Sequence, residues 1–247
     1  MDKIKEAARI IKNAQKVGAF TGSGISVESG IPSFRGEDGI WAKYDPQALE
    51  LNYFFNFPRE SWSVIKEIFY DYFGVARFNR AHEVLAILEK NGILAGVTTQ
   101  NIDNLHQEAG SNKVYEFHGN SKKLVCTECK GHFNVEEDVF ANLPPACSKC
   151  NGLLKPDFIF FGEGIPQEAY QNSVQLAQNA DAYLVVGTTG EVMPANYMPV
   201  LAKENGASII EINTEPSRFT GSVTDVFLQG KASVVLNELL KEINQID

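Results

Sequence analysis

Four cysteines, Cys126, Cys129, Cys147 and Cys150, are the chain's full complement, and they fall as two C-x2-C pairs separated by seventeen residues. No other local feature constrains the fold so tightly. Each C-x2-C turn presents two sulfurs to one metal, and a hairpin across the intervening segment brings the pairs together. Four protein ligands leave no position open for substrate. The expected metal is therefore a structural zinc, contributing folding energy on the order of 10 kcal/mol. Rubredoxin-type iron is a minor alternative, and thiol–disulfide exchange a lesser one. Cysteines paired for a metal also fit a reducing compartment.

Around that centre the chain reads as α/β. Apolar, β-branched runs at Val17–Thr21, Ile93–Thr99, Val114–Phe117, Phe158–Phe161, Ala182–Gly187 and Ser208–Asn213 read as buried parallel strands. Helical patterns lie at residues 81–90, 167–179, 199–205 and 233–246, and an N-terminal amphipathic helix sets Ile4, Ala7, Ala8 and Ile11 on one side. The alternation predicts a doubly wound, mostly parallel Rossmann-like sheet. Two segments interrupt it: Trp41–Asn79, rich in aromatics, and Gly119–Leu154, which carries the cysteines. The expected organisation is a discontinuous large domain over residues 1–40, 80–118 and 155–247. A helical module (41–79) and a zinc module (119–154) form a smaller domain beside it.

Net charge is −9, from 22 basic and 31 acidic residues, which weighs against coating a nucleic acid. No apolar run approaches the roughly 18 residues of a membrane helix. The N-terminus lacks the apolar core and cleavage site of a signal peptide. A cytoplasmic protein with no membrane partner is expected, acting as a monomer.

The stretch Gly18–Gly36, GAFTGSGISVESGIPSFRG, points to a ligand. Gly22-Ser23-Gly24 after a strand permits a tight turn whose amides approach a diphosphate, with a following helix N-terminus aimed at its charge. Val27 stands where the dinucleotide fingerprint requires a third glycine, so an ordinary strand-to-helix turn weighs about equally on this motif alone. Further strand ends shift the balance. TTQNIDNLH, VGTTGEV and INTEP all place small or polar residues just after apolar strands, where open α/β sheets bind ligands. Asn213 or Glu215 there suits ribose hydroxyls. Of the four histidines, only His118 ends a strand expected to be central, and Gly119 after it would permit close approach of a ligand. That makes His118 the candidate general base.

Taken in order, TGSGISVESGIPSFRG, TQNIDNLHQEAG, FHG, the paired C-x2-C motifs, KPDFIFFGE and GTTGEVMPAN resemble those of the sirtuins, the NAD-dependent protein lysine deacylases. The likeness runs from about residue 17 to the closing GKA segment. It implies an enzyme that consumes NAD as co-substrate, releases nicotinamide and passes the lysine's acyl group to ADP-ribose. By this resemblance Asn101, Ile102 and Asp103 form the nicotinamide pocket, with Asp103 accepting from the carboxamide and Asn101 ordering the ribose and a water. Gln100 contacts ribose. Phe34 covers the reactive carbon, Arg35 stays near the phosphates, and the loop from Glu28 to Gly36 closes as a lid. His118 deprotonates a ribose hydroxyl. Gly22, Ser23, Gly24, Ser26, Val27, Gly187, Thr188, Thr189, Asn213, Glu215 and Ala232 line the NAD site. FIFFGE resembles the strand that pairs with an extended acyl-lysine peptide. Ile159 and Phe161 flank the tunnel, and Gly162, Glu163 and Val192 complete the contacts.

Three positions depart from the pattern: Ser33, Ser23 and Thr189, each small and polar-tolerant. Succinyl- and malonyl-removing members carry a Tyr-x-x-Arg pair. Here Tyr70 is followed by Phe73 where the Arg would sit, so burying an acyl carboxylate would be costly and neutral acyl groups are expected. Arg77 is the nearest alternative cation. Mono-ADP-ribosyl transfer shares the first half-reaction and stays open as an alternative. A non-catalytic NAD-sensing or zinc-adaptor module is the other.

Overall fold

The computed structural model describes residues 2–34, 39–72 and 76–246. Six strands, β1 (Val17–Thr21), β2 (Leu94–Thr99), β3 (Val114–Glu116), β7 (Ala182–Val186), β8 (Ser208–Asn213) and β9 (Val226–Gln229), form one parallel sheet in the order β3-β2-β1-β7-β8-β9. A second sheet is antiparallel, ordered β5-β4-β6 from β4 (Gly119–Cys126), β5 (His132–Asn134) and β6 (Leu154–Phe158). The main helices are α1 (Lys3–Asn13), α2 (Ile40–Lys43), α3 (Leu51–Asn56), α4 (Pro58–Lys66), α5 (Arg80–Lys90), α6 (Leu105–Glu108), α7 (Gln167–Gln178), α8 (Tyr197–Glu204) and α9 (Ala232–Ile243). None of the described helices is long and apolar enough to cross a membrane.

Alternation along the central strands builds two cores. Val17 and Ala19 of β1, with Ala182, Leu184 and Val186 of β7, pack under α1, α5 and α9; Phe20, Tyr183 and Val185 face α7 and α8. Both faces of the sheet are covered, which is why β1 and β7 are buried at every position. The chain winds outward through β1, β2 and β3, then crosses back to β7 beside β1. That reversal opens a crevice at the strand C-termini.

The two interrupting segments share a third core. Phe54, Trp62, Ile65 and Phe69 from the helical stretch pack with Leu124, Cys126, Cys147, Leu154, Phe158 and Phe160. Rings set much of its geometry. Phe54 meets Phe160 edge-on at 5.1 Å, Phe69 lies 5.0 Å from Phe158, and the Trp62 Nε1 donates to the Leu154 carbonyl at 2.9 Å.

Several expectations need correction. The run Phe158–Phe161 is not a parallel strand: β6 stops at Phe158, pairs antiparallel with β4, and belongs to the small sheet. Residues 155–158 therefore lie with the zinc module and not with the large sheet. The strand before His118 is at the sheet's edge, not its centre. Ser23–Ser29 winds as a 3-10 turn where an α-helix was expected. The strand β9 went unread.

Candidate active site

The C-terminal ends of β1, β2, β7 and β8 converge on a cavity of about 1040 Å³. Gly22, Ser23, Gly24, Val27 and Phe34 line it from the β1 side, and Gln100, Asn101 and Ile102 from β2. Gly187, Thr188, Thr189 and Val192 follow β7, Asn213 and Glu215 follow β8, and Ala232 opens α9. The opposite wall is His118, Ile159, Phe161, Gly162 and Glu163, with Trp41, Leu49 and Phe69 from the helical segment. Ser26 and Asp103 line a second cavity, of about 320 Å³, that adjoins the first through Ser23, Phe34, Phe69, Asn101 and Ile102. Arg35 and Phe73 lie outside the described residues, as does the end of the Glu28–Gly36 loop. Tyr70 lines the smaller cavity and packs against Trp62 and Phe140.

The glycines serve the protein's own backbone first. The Gly22 amide donates to the Val186 carbonyl at 3.0 Å and the Gly24 amide to the Gly187 carbonyl at 2.8 Å. A Cβ on Gly24 would sit 2.7 Å from the Gly187 Cα, so the β1 and β7 turns cross in contact. These two amides are not left for a diphosphate, as the motif alone suggests. Likewise Gly119 (φ 77°) would drive a Cβ to 2.3 Å from the Asp157 carbonyl oxygen. It is needed for the approach of β6, not of a ligand.

Between Gln100 and Leu105 a buried network holds the segment NID. Asn101 Nδ2 donates to the Ser26 hydroxyl (3.1 Å) and the Gly22 carbonyl (3.2 Å), and Ser26 Oγ donates to Asp103 Oδ2 at 2.7 Å. The Leu105 amide donates to Asp103 Oδ1 at 3.0 Å. Burial pushes the Asp103 carboxyl above the usual range, opposed by those two donors. Ser121 pins Ile102 by donating to its carbonyl from both amide and hydroxyl.

Beneath this segment sit His82 and His106, rings 4.9 Å apart and edge-on. The Asn79 amide donates to His82 Nδ1 (3.3 Å), so the proton is on Nε2, 3.5 Å from Ser26 Oγ. The Thr21 hydroxyl lies 2.8 Å from Thr99 Oγ1 as donor and 2.9 Å from His106 Nε2. Thr99 Oγ1 in turn accepts from the Asn101 amide at 3.0 Å. Burial lowers the His82 pKa to about 4 and that of His106 well below 6.5, so both rings are neutral. Sequence reasoning placed these histidines in helices and missed their support of the site; the recurrent Thr21 and Thr99 at strand ends were the available signal.

His118 Nδ1 lies 3.0 Å from the Gln100 carbonyl. A carbonyl only accepts, so Nδ1 carries the proton and Nε2 keeps its lone pair. Burial lowers this ring's pKa below 6.5, the carbonyl contact opposing it. The His118 carbonyl accepts from the Ile159 amide at 2.8 Å. Phe160 and Phe161 amides are also taken, by Glu163 Oε2 (2.7 Å) and the Leu49 carbonyl (2.9 Å). A peptide added to this edge therefore finds its first open amide at Gly162, the Glu163 amide being taken by the Phe160 carbonyl, and does not pair along the whole FIFFGE run.

The four cysteine sulfurs lie within 4.8 Å of one another, Cys126 and Cys147 buried, Cys129 and Cys150 exposed. Cys126–Cys150 and Cys129–Cys147 separations are 3.5 and 3.8 Å. A tetrahedral ion with Zn–S of about 2.3 Å needs sulfur–sulfur edges of roughly 3.8 Å. The donor set and its spacing fit zinc.

The sequence model of the Sir2 family matches residues 22–194. A relative from Pyrobaculum aerophilum named NAD-dependent protein deacylase 2 is 43% identical over 242 residues, covering 96% of this chain and 95% of its own length. The Pyrococcus furiosus NAD-dependent protein deacylase is 43% identical, covering 98% of both. Among solved structures, one from work on the mechanism and regulation of Sir2 enzymes superposes with a TM-score of 0.90 at 40% identity, over 100% of this chain and 99% of that one. A Sir2 homologue in complex with NAD gives 0.91 at 35%, over 98% and 94%. With a family match over most of the chain and relatives that align almost end to end in sequence and structure, the chain belongs to the Sir2 family.

Proposed function

We propose that this protein is an NAD-dependent protein lysine deacylase, transferring the acyl group of a modified lysine to ADP-ribose with release of nicotinamide. The observation that carries the reading is the convergence on one cleft of a neutral imidazole, His118, with the Asn101–Asp103 segment and the Ile159–Glu163 wall. Homologues solved with NAD and with a p53 peptide support both partners.

Bound NAD supplies the scissile nicotinamide–ribose bond and the ADP-ribose acceptor. Asp103 and Ile102 receive the leaving amide in a pocket shielded from water, where the Asp103 carboxylate accepts from it. Asn101 orients the ribose, its own amide fixed by Ser26 and Gly22. His118 Nε2 takes a proton from a ribose hydroxyl, and Nδ1 stays anchored on Gln100. Gln100 is itself held by Thr188 at 3.1 Å, and Asn213 donates to the Thr188 carbonyl at 3.0 Å, joining three strand ends around the sugars. Four thiolates hold a zinc that braces the peptide wall and stays out of the chemistry. Residues 41–79 and 119–158 act as one small domain, a division supported by their shared core and by β6 in the small sheet. Monomeric action in the cytoplasm completes the reading, supported by the reduced cysteines and the acidic surface.

Neutral acyl groups are the substrates. No arginine is among the described residues lining the larger cavity, whose single cation, Lys231, opens α9. Acetyl-lysine peptide should turn over faster than its succinyl counterpart; the reverse preference would refute this. Incubation with NAD and an acetyl-lysine peptide, followed by mass spectrometry, tests the whole reading. Free lysine plus acyl-ADP-ribose supports it. A protein heavier by ADP-ribose indicates the transferase alternative, and no product indicates a binding module.

A further inference from the structure

Lys155 is a lysine buried among aromatic rings, its side chain 8% exposed. All three of its N–H donors are used: on the Pro156 carbonyl (2.8 Å), the Phe158 carbonyl (2.8 Å) and Glu163 Oε2 (2.9 Å). The ammonium also lies 4.3 Å from the centroid of the Phe160 ring. Glu163 Oε2 accepts in addition from the Phe160 amide at 2.7 Å, and the Glu163 amide donates to the Phe160 carbonyl at 3.0 Å. The end of β6 is thereby clipped to the turn at residues 160–163. That turn carries Phe161, 55% exposed at the cavity wall, and Gly162, where an added strand must begin to pair. Just before the turn stands Ile159, whose amide holds the His118 carbonyl.

We propose that Lys155 is a positioning residue for acyl-peptide recognition, acting through Glu163 to set the turn that receives the peptide. Burying a charged pair rarely raises stability over an apolar one, so folding alone does not account for an ammonium here. A fixed turn does: one ammonium joins two carbonyls of β6 to the Glu163 carboxylate, tying the strand's end to the turn at the cavity wall. The inference rests on the deacylase reading.

The test compares Lys155→Met and Glu163→Gln with the parent protein, measuring acetyl-peptide affinity by anisotropy, peptide KM and kcat, and ADP-ribose affinity. Lys155→Met should weaken peptide binding about 10- to 100-fold, the range for losing hydrogen bonds to a charged group. Glu163→Gln, which keeps an acceptor for both donors, should lose less. ADP-ribose affinity should hold within about two-fold in both, because its strand ends are remote from the clip. Unchanged peptide affinity in Lys155→Met overturns the inference, as does an ADP-ribose affinity that falls in step with it. Should Lys155→Met fail to fold, Lys155→Gln, polar but without the ammonium, decides by the same split. A parent protein that turns over no acyl peptide refutes the deacylase reading instead, and is read from a separate measurement.

Discussion

The two halves of the cleft are stabilised by different means. The parallel sheet is mostly aliphatic, alternating residues between two helical layers, and its four inner strands are each held by neighbours on both sides. The small region opposite has three antiparallel strands, a core assembled from separate stretches of chain, and two thiols that are themselves core residues. One wall stands on burial; the other stands on a metal. Both tryptophans, Trp41 and Trp62, belong to the second, so their emission reports on it alone. Removing the metal should separate the halves most sharply. Chelation, or Cys126→Ser, forfeits binding energy on the order of 10 kcal/mol and unfolds the small region, with a red-shifted tryptophan emission and no peptide turnover. Helical circular dichroism from α1, α5, α7 and α9 should largely persist. Tryptophan emission that ignores the chelator would show that the small core needs no metal.

The next largest effect falls where the halves meet. His118→Ala removes the only imidazole in the larger cavity's described lining. Loss of a general base lowers kcat/KM by about 10²–10⁴-fold, with tryptophan emission and ADP-ribose binding preserved. Because the ring's pKa is lowered by burial, its basic form persists below pH 6.5. The acid limb of kcat/KM should lie under that value, and a limb at or above it would contradict the assigned environment.

Acid should then separate the halves in the opposite sense from chelation. His82 is held neutral with a pKa of about 4 against 6.5 when exposed. Between those values the unfolded chain binds more protons, so stability falls as pH drops through that window, by on the order of 3 kcal/mol for this one ring. The loss belongs to the parallel sheet, beneath Ser26 and Asp103. Thermal melts followed by ADP-ribose protection should show it between pH 6.5 and 4, and a folded His82→Gln variant should lose that ring's share of it while His106, also held neutral by burial, keeps its own.

The same contrast explains what could be read beforehand. The strands β1, β2, β7 and β8 were legible to within a residue because each is a largely buried, mostly apolar run, fully buried in β1 and β7. The cysteine centre was legible because its spacing is a local constraint. Failures cluster where tertiary packing overrides local pattern. Phe158–Phe161 looks like a strand, yet its rings split between the aromatic core and the cavity wall. Lys155 gives no sign of its burial in the sequence, since lysine is almost never buried unless paired and its partner lies eight residues away. In β9 only alternate residues are well buried, so a four-residue run sends too weak a signal. Gly22 and Gly24 read as a turn open to a ligand, and nothing in the sequence signals that their amides bond the end of β7 and the turn after it.

That last point yields the smallest of the expected effects and the finest test of how the sheet half builds its floor. In Gly24→Ala the added methyl meets the Gly187 Cα at 2.7 Å and its carbonyl oxygen at 2.8 Å, both backbone atoms that cannot rotate away. The β1 and β7 turns must part, straining the Gly24–Gly187 hydrogen bond. Overpacking of this kind costs about 1–3 kcal/mol, which for a chain of this length is a melting shift of roughly 3–10 °C. The same parting displaces Thr188, which anchors Gln100, so ADP-ribose affinity should fall while tryptophan emission stays in place. If melting and affinity are both unchanged, the turns separate freely, and the glycines were kept for the ligand after all.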